Sequence, residues 1–342
     1  MSSRGPVRSR WNPKSKIQNL ESRNSKQLMN LVERILQADP RAVARAMTLI
    51  ENEDPRGWEI LKALFSHAGR ALVIGITGAS GSGKSTLVDQ LAKEFRRRHQ
   101  SVGIVAVDPT SPFSGGAILA DRIRMNTLYT DQGVFIRSMA TRGHLGGLAA
   151  TTAKVISVLD AAGKDVVLAE TVGVGQDEVE IVKVADVSIV VLVPGMGDDM
   201  QALKAGLMEI GDIFVINKWD HPHADRMKKE LEATLSLSSH SDEWKPPIVK
   251  TVATKGTGIG ELTEQIDEFD RYRKASPESV NKRRSSVEEN LLDLLKDLLL
   301  EKAIQQNGVW DRIHAASRAV SERKMDPYTA VEQIVRDLGI SG

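Results

Sequence analysis

The chain has 342 residues, of which 41% are hydrophobic and 27% are charged. This composition excludes a wholly disordered chain, and the length predicts about two domains. Lys and Arg number 46 against 45 Asp and Glu, so the net charge of +1 gives no reason to expect nucleic acid or an acidic membrane as a partner. The absence of cysteine excludes disulfides, thiol nucleophiles and cysteine-based metal sites, and it fits a cytoplasmic protein.

The N-terminal part of the chain predicts a tail and a small helical domain. Residues 1–26 are rich in Arg, Lys and Ser, which fits a solvated tail or a targeting segment. The tail is favoured because few apolar positions could form an amphipathic face. Asp-Pro pairs at 39–40 and 54–55 each combine an N-cap with a proline at the first helical position. The range 27–69 is therefore predicted to be a helical domain.

A regular alternation of short apolar runs and helical patterns follows over 70–272. Continuous apolar strands between helices indicate a mostly parallel sheet that is covered on both faces. The second strand is expected to lie next to the first. No apolar run approaches the roughly 18 residues of a membrane-spanning helix. The predicted strands are Ala71–Thr77, Val102–Val107, Asp165–Ala169, Val187–Val193, Ile213–Ile216 and Pro247–Val252.

The first predicted strand ends in a Gly-rich turn that fits G-x-x-x-x-G-K-[ST] and precedes a predicted helix over Thr86–Arg98. A phosphate-binding P-loop requires this strand–loop–helix context. Lys84 would neutralise the β- and γ-phosphates, and the Ser85 hydroxyl would hold Mg²⁺. The fold class is therefore an α/β P-loop NTPase flanked by helical N- and C-terminal extensions. The motif consists of Gly78, Ala79, Ser80, Gly81, Ser82, Gly83, Lys84, Ser85 and Thr86.

The tetrapeptide after the fifth predicted strand has the pattern N-K-x-D, which is typical of guanine recognition. The Asp220 carboxylate can accept from both the N1–H and the exocyclic amine of guanine, a donor pair that adenine lacks. The Lys218 stem would pack on the base, and Asn217 would tie this loop to the P-loop. The tetrapeptide is Asn217, Lys218, Trp219 and Asp220. A second loop, after the last strand, is positioned for backbone contact with the guanine O6 atom through Val252, Ala253 and Thr254.

Acidic residues near strand ends are candidates for catalysis and for Mg²⁺ binding. Glu170 ends the third strand and Gly173 follows three residues later, which suits a carboxylate reaching Mg²⁺ and a glycine N–H facing the γ-phosphate. Asp108 suits the same Mg²⁺ role, although an aspartate before Pro109 also fits a turn. The residues do not decide which of Asp108, Asp121 and Glu170 positions the attacking water.

The stretch between Asp108 and Glu170 also contains paired glycines among charged residues, a composition that suggests loops near the nucleotide. For most of the arginines in this stretch, surface charge is the preferred interpretation. The basic residues concerned are Arg122, Arg124, Arg137, Arg142 and His144.

The C-terminal part, 273–342, is again helical in pattern, and a third Asp-Pro pair at 326–327 repeats the helix-start signal. Its first helix carries an apolar stripe that is wider than a surface helix needs for docking on one core. Such a stripe would be an exposed apolar patch in a monomer, which soluble proteins generally avoid. We therefore expect a homodimer with its interface in 280–342, and folding back onto the chain's own domain is the alternative. The stripe consists of Val287, Leu291, Leu294, Leu295 and Leu298, widened by Leu292, Leu299 and Leu300.

Three long runs resemble the MeaB/ArgK-type GTPases, which are the G-protein chaperones of B12-dependent acyl-CoA mutases such as methylmalonyl-CoA mutase. The resemblance implies a homodimer and GTP hydrolysis with low intrinsic activity. It also implies that GTP binding and hydrolysis gate cobalamin loading and protect or reactivate the mutase. An adenosyltransferase that delivers adenosylcobalamin is a further implied partner. The runs are 107–116, 139–148 and 170–176.

A further segment, 194–204, is similar to the mutase-responsive switch of this family, which makes Gln201 and Lys204 switch candidates. The chain departs from the family pattern in two places. Its P-loop reads Ala-Ser-Gly-Ser over 79–82 where Val-Pro-Gly-Val is usual, and Trp219 stands where a small residue is usual. These departures leave open which acyl-CoA mutase is the client.

Two other classes of function stay open at this point. A P-loop kinase would phosphorylate a small metabolite such as a basic amino acid, and a nucleotide-gated scaffold would bind GTP without turnover. A kinase needs an acceptor pocket and usually selects adenine, whereas Asp220 favours guanine. GTP and GDP are therefore the expected ligands, with Mg²⁺ as the cofactor.

Overall fold

The chain forms two compact units, Met1–Ala275 and Ser276–Gly342. In the described part of the chain, no helix is long and apolar enough to cross a membrane. The domain boundaries expected from the sequence stay predictions. The computed structural model describes residues 26–108, 128–140, 147–171, 184–195, 211–237 and 244–276 and, with gaps, 287–339.

The first unit begins with helices that start at local capping signals. The Asp39 carboxylate accepts from the N–H groups of Arg41 and Ala42, as the Asp-Pro signal predicts. The Asp54 carboxylate accepts from the N–H and the guanidinium of Arg56, which lower the pKa of that carboxyl to about 2. The helices are α1 over 26–36, α2 at Pro40–Glu51 and α3 at Pro55–Leu64, followed by a 3₁₀ turn at Phe65–His67.

A seven-stranded sheet with all strands parallel forms the centre of this unit. Its strands are β1 Leu72–Thr77, β2 Val102–Asp108, β3 Val134–Ala140, β4 Val166–Glu170, β5 Val187–Leu192, β6 Ile213–Ile216 and β7 Ile248–Lys250. Its helices are α4 Lys84–Arg97, α5 Gly147–Ala161, α6 Ala224–Leu237 and α7 Ile259–Ala275, with a 3₁₀ turn at Ala253–Lys255 before α7. The strand order is β3-β2-β4-β1-β5-β6-β7. The predicted α/β fold with a parallel sheet is confirmed.

Strand β3 is absent from the sequence prediction because a charge interrupts its apolar run. Arg137 lies at its centre and forms a two-pronged ion pair with Glu51 of α2, with both nitrogen–oxygen distances at 2.7 Å. The side chains of both residues are less than one-fifth exposed. Arg137 is therefore an exception to the surface charge expected for most arginines of this stretch, because it joins the edge strand of the sheet to the N-terminal helices.

The expected neighbour of the P-loop strand is also wrong. Strand β2 pairs with β3 and β4, and β4 lies between β2 and β1. The chain therefore crosses over one strand position after β1, and β4 later fills that position. This exchange brings the end of β4, which carries Glu170, next to the P-loop strand, with Glu170 in register with Ile76.

Apolar cores cover both faces of the sheet. Helices α4 and α7 pack against one face with residues such as Ile74, and α1, α2, α3 and α5 pack against the other face with residues such as Val73. Because Val73 and Ile74 are consecutive in β1, their side chains point to opposite faces. The N-terminal helices therefore share one core with the sheet, and coverage on both faces explains why the strands are continuous apolar runs.

The connection from the N-terminal helices to β1 is held by one carboxylate. Asp160 of α5 is largely buried and accepts from the N–H groups of Gly69, Arg70 at 3.1 Å and Ala71 at 3.0 Å. Replacement of Asp160 by alanine is expected to destabilise the protein by about 2–3 kcal/mol, because hydrogen bonds to charged groups are the stronger ones and the buried N–H of Ala71 loses its acceptor. Urea unfolding measures the effect.

The exposed Glu264→Ala of α7 removes the same charge and is the matched control for this experiment. It is expected to change the free energy of unfolding, measured by urea, by no more than about 0.5 kcal/mol. Equal effects of the two substitutions would contradict the assignment of Asp160 as the residue that holds this connection.

The second unit contains two helices that are described throughout, α8 at Val309–Ser321 and α9 at Pro327–Asp337. The Asp326 carboxylate caps α9 and accepts from the N–H of Thr329 at 2.9 Å, as the third Asp-Pro signal suggests. The described residues between 287 and 304 are helical. All eight residues of the predicted stripe are exposed in the single chain, with Leu291 at 60% and Leu295 at 50%.

Candidate nucleotide-binding site

The P-loop connects β1 to α4 through three glycines with positive φ angles, and two of them are also closely packed. Gly78 and Gly83 have φ angles of 142° and 91°, which L side chains rarely adopt. A Cβ atom at Gly78 would clash with the carbonyl oxygen of Val191, and one at Gly83 would clash with the amide of Asn217. The loop therefore lies tightly between the ends of β5 and β6, with its last glycine opening α4.

Lys84 lies at the N-terminus of α4 and is 6% exposed. Its ammonium donates to the carbonyl oxygens of Gly78 at 2.7 Å and Ala79 at 3.0 Å, both within the P-loop. A cation and the positive end of a helix dipole therefore meet at one place, which is a favourable site for phosphate.

Ser85 and Glu170 meet across the interface between α4 and β4. The Ser85 hydroxyl donates to Oε1 of Glu170 at 2.7 Å, and both residues are more than nine-tenths buried. Hydroxyl and carboxylate oxygens are ligands that suit Mg²⁺, which usually takes one or two protein ligands together with substrate phosphates and water. In the described residues, no group of three or more His, Asp or Glu side chains could hold a metal ion.

Asn217 joins three loops through its side-chain amide and is 3% exposed. Its Nδ2 donates to the carbonyl oxygen of Ser82 at 2.8 Å. Its Oδ1 accepts from the Thr251 hydroxyl and from the Ala253 N–H, both at 3.1 Å. The P-loop, the loop after β6 and the loop after β7 are therefore held in a fixed mutual position.

The remaining residues of the N-K-x-D tetrapeptide differ in their environments. Lys218 has a φ of 55° and donates from Nζ to the carbonyl oxygen of Gly81 at 3.0 Å. Trp219 packs in an apolar cluster with residues of β5, β6 and α6. The Asp220 carboxylate is half-exposed and pairs with Lys255 at 2.9 Å, which lowers the pKa of that carboxyl below its usual value.

These groups lie at the carboxyl ends of β1, β4, β6 and β7, which meet at one edge of a parallel sheet. Ligands of open α/β folds bind in the crevice at this edge. The arrangement combines a phosphate cradle, a pair of oxygen ligands for Mg²⁺ and an exposed carboxylate that can accept two hydrogen bonds. A nucleoside phosphate supplies a partner for each of the three.

Comparison with known proteins identifies the family to which this chain is related. The family described as Methylmalonyl Co-A mutase-associated GTPase MeaB matches residues 43–308. The chain belongs to the MeaB family of GTPases. The resemblance expected from three runs of sequence is confirmed.

Relatives of this MeaB-family GTPase align over most of their length. A protein of Pyrococcus abyssi named as a GTPase is 49% identical over 313 residues, which are 90% of this chain and 96% of the relative. The GTPase ArgK of Escherichia coli is 34% identical over 91% of this chain and 96% of its own. The mitochondrial methylmalonic aciduria type A homolog of Mus musculus is 30% identical over 86% of this chain and 75% of its own.

A solved structure has the same fold as this family member. The crystal structure of a LAO/AO transport system kinase has a TM-score of 0.69 and is 27% identical in sequence. The match covers 92% of this chain and 98% of the solved one. The P-loop NTPase fold predicted from the sequence is confirmed.

Several predicted site residues of this MeaB-family chain lie outside the described part of the structure. Those are Asp121, Gly173, Gln201 and Lys204, together with Arg122, Arg124, Arg142 and His144. Asp108 is the last residue of β2, where only its backbone is described. In the P-loop, Ser80 and Gly81 are exposed, Ala79 and Thr86 are half-buried, and Ser82 is fully buried. The second loop places Val252 and Ala253 in buried positions beside an exposed Thr254.

The sequence prediction gave no site role to Thr251, Lys250 and Lys255, which contact the tetrapeptide after β6. Thr251 is fully buried, donates its hydroxyl to Asn217 and accepts from the Trp219 N–H at 3.0 Å through its carbonyl. Lys250 lies over the Trp219 ring, 4.2 Å from its centroid, and Lys255 pairs with Asp220. Their position at or just after the end of the last strand could have indicated a role, because ligands of open α/β folds bind at the carboxyl ends of the strands.

Proposed function

We propose that this chain binds GTP with Mg²⁺ and hydrolyses it, and that Asp220 selects guanine. The observation that carries the proposal is the Asn217 side chain, which bonds the P-loop at 2.8 Å and the loop after β7 at 3.1 Å. This link fixes the loop that carries Asp220 relative to the P-loop. Guanine offers that carboxylate two donors, the N1–H and the exocyclic amine, and adenine does not offer this pair.

Each group at the site has a chemical task in this proposal. Lys84 neutralises phosphate charge, and the helix N-terminus and P-loop amides bind phosphate oxygens. Ser85 and Glu170 would hold Mg²⁺, directly or through water, and the ion would neutralise charge that develops on the phosphates. Asp108, Asp121 and Glu170 are the candidates for positioning the attacking water, and Gly173 is the candidate N–H donor to the γ-phosphate.

We further propose that the GTPase cycle serves a B12-dependent acyl-CoA mutase by gating cobalamin loading and by protecting or reactivating the enzyme. Support comes from the family description, which names an association with methylmalonyl Co-A mutase, and from the name of the mouse relative. Gln201 and Lys204 are the proposed mutase-responsive switch, and an adenosyltransferase is the proposed source of adenosylcobalamin. A homodimer through 280–342, a cytoplasmic location and domain boundaries at 27–69, 70–272 and 273–342 complete the proposal.

The experiment for this second proposal mixes the chain with purified methylmalonyl-CoA mutase and a non-hydrolysable GTP analogue. Co-elution on size exclusion and faster GTP hydrolysis in the presence of the mutase are expected. Absence of both with this mutase and with other acyl-CoA mutases would contradict the chaperone role without affecting the guanine assignment.

A P-loop kinase acting on a small metabolite is the second candidate, and a specific observation favours it. The solved structure that covers 92% of this chain is that of a LAO/AO transport system kinase. Transfer of the γ-phosphoryl group of labelled ATP to a basic amino acid would support the kinase, whereas release of inorganic phosphate from GTP supports the GTPase. We prefer the GTPase because the Asp220 carboxylate, on the loop that Asn217 links to the P-loop, can accept from both donors of guanine.

Replacement of Asp220 by asparagine is expected to weaken GTP binding by roughly 10- to 100-fold, because one acceptor becomes a donor that opposes a donor of guanine. ATP binding should stay unchanged. Xanthosine triphosphate should gain affinity, because its 2-oxo group accepts from the new amide. Competition titration against a fluorescent GDP analogue measures all three nucleotides.

The matched control is Asp225→Asn, which removes a charge from the exposed first turn of the next helix, α6. It should leave the GTP to ATP affinity ratio unchanged. A ratio that also stays unchanged in the Asp220 variant would refute the base-recognition assignment.

A further inference from the structure

The end of β7 and the 3₁₀ turn after it place two lysines against the tetrapeptide 217–220. The ammonium of Lys250 lies 4.2 Å from the centroid of the Trp219 ring, a cation–π contact. The ammonium of Lys255 lies 2.9 Å from Oδ2 of Asp220. Neither contact belongs to the functions assigned above, and the second one involves the residue on which guanine selection depends.

Lys255 is the one side chain in the described part of the chain that hydrogen-bonds the Asp220 carboxylate. The Asp220 side chain is 51% exposed, so packing alone leaves its rotamer weakly restrained. A half-exposed aspartate samples several rotamers, and binding a base in only one of them loses conformational entropy. The ion pair restricts this freedom before the nucleotide binds.

The position of Lys255 is itself fixed relative to Asn217. Lys255 ends the 3₁₀ turn Ala253–Lys255, and its N–H donates to the carbonyl oxygen of Val252 at 2.9 Å. The Ala253 N–H at the start of the turn donates to Asn217. Gly256, with a φ of 69°, closes the turn. The turn that carries Lys255 is therefore hydrogen-bonded, through the Ala253 N–H, to the loop that contains Asp220.

The ion pair leaves the carboxylate able to bind a base. Each carboxylate oxygen has two lone pairs. Oδ2 can therefore accept from Lys255 and from one donor of the base, while Oδ1 accepts from the other donor of the base. Both donors of a guanine edge can be satisfied with the lysine in place. The contact thus orients the carboxylate without blocking it.

We propose that Lys255 is a positioning residue for base recognition, which holds the Asp220 carboxylate in the orientation that accepts guanine. This inference rests on the proposed guanine specificity of the site. Lys255 acts through Asp220 alone, so its contribution should disappear when the carboxylate is absent and should not extend to adenine nucleotides.

The test measures the affinities of GDP and ADP by competition with a fluorescent GDP analogue. Lys255→Met is expected to weaken GDP binding by roughly two- to fivefold, the range of an exposed ion pair, and to leave ADP unchanged. Lys255→Arg should restore GDP affinity. Lys229→Met, which removes an exposed charge from α6, should change neither nucleotide.

A double-mutant cycle with Asp220→Ala separates the positioning role from a general effect of charge. In the Asp220→Ala background, Lys255→Met should have no further effect on GDP affinity. An equal loss in both backgrounds, an equal loss for ADP, or no loss in the wild-type background would each overturn the inference. Failure of the wild-type chain to prefer GDP over ADP is a different outcome, which contradicts the proposed guanine specificity instead.

Discussion

Replacement of Lys84 by alanine is expected to lower GTP affinity by about 2–5 kcal/mol, which is roughly 30-fold to a few thousandfold. Lys84 is 6% exposed, and its ammonium donates to two carbonyl oxygens of the P-loop. It lies at the helix N-terminus, where the phosphates are proposed to bind, and its removal leaves phosphate charge without a buried counter-charge.

Isothermal titration with GTP and Mg²⁺ measures this loss. The matched control is Lys93→Ala, which removes a lysine from the same helix, where it pairs with Asp89 at 2.6 Å. The control should retain GTP affinity within about threefold, because Lys93 lies more than two helical turns from Lys84. GTP affinity in the Lys84 variant equal to that of the control would refute phosphate binding at this loop.

The double substitution Leu291→Glu and Leu295→Glu is expected to convert a dimer into a monomer. Both leucines are exposed in the single chain, within the row of eight exposed apolar side chains between 287 and 300. An isologous interface contains each residue twice, so the two substitutions place four charges in it. Burial of unpaired charge costs several kcal/mol for each ion, which exceeds what a small interface can offset.

Sedimentation equilibrium of the wild-type chain and the double variant decides this prediction. GTP binding should be retained, because the P-loop lies in the other compact unit. Lys229→Glu is the control, since it changes the charge of an exposed residue of α6, outside the proposed interface, and removes no leucine. A double variant that stays dimeric would contradict the interface assignment, and one that loses all folding would favour an intramolecular role for the stripe.

The sequence by itself determined the elements whose signals are local. Three Asp-Pro pairs predicted helix starts, and the side chain of Asp39, like those of Asp54 and Asp326, accepts from backbone N–H groups there. The P-loop glycines at 78 and 83 have the positive φ angles that their residue type allows. Strands buried on both faces are apolar at most positions, so six of them were visible without knowledge of their neighbours.

Only the tertiary structure decided what depends on residues that are distant in sequence. The apolar runs carry no information about strand order, so the insertion of β4 between β1 and β2 had to be observed. Arg137 resembled surface charge because its partner, Glu51, lies 86 residues away. The same holds for the Lys255 contact with Asp220, since neighbouring charges in a sequence do not reveal which carboxylate a flexible ammonium reaches. Local capping and backbone geometry act within a few residues, whereas ion pairs and sheet order depend on the folded arrangement of the whole unit.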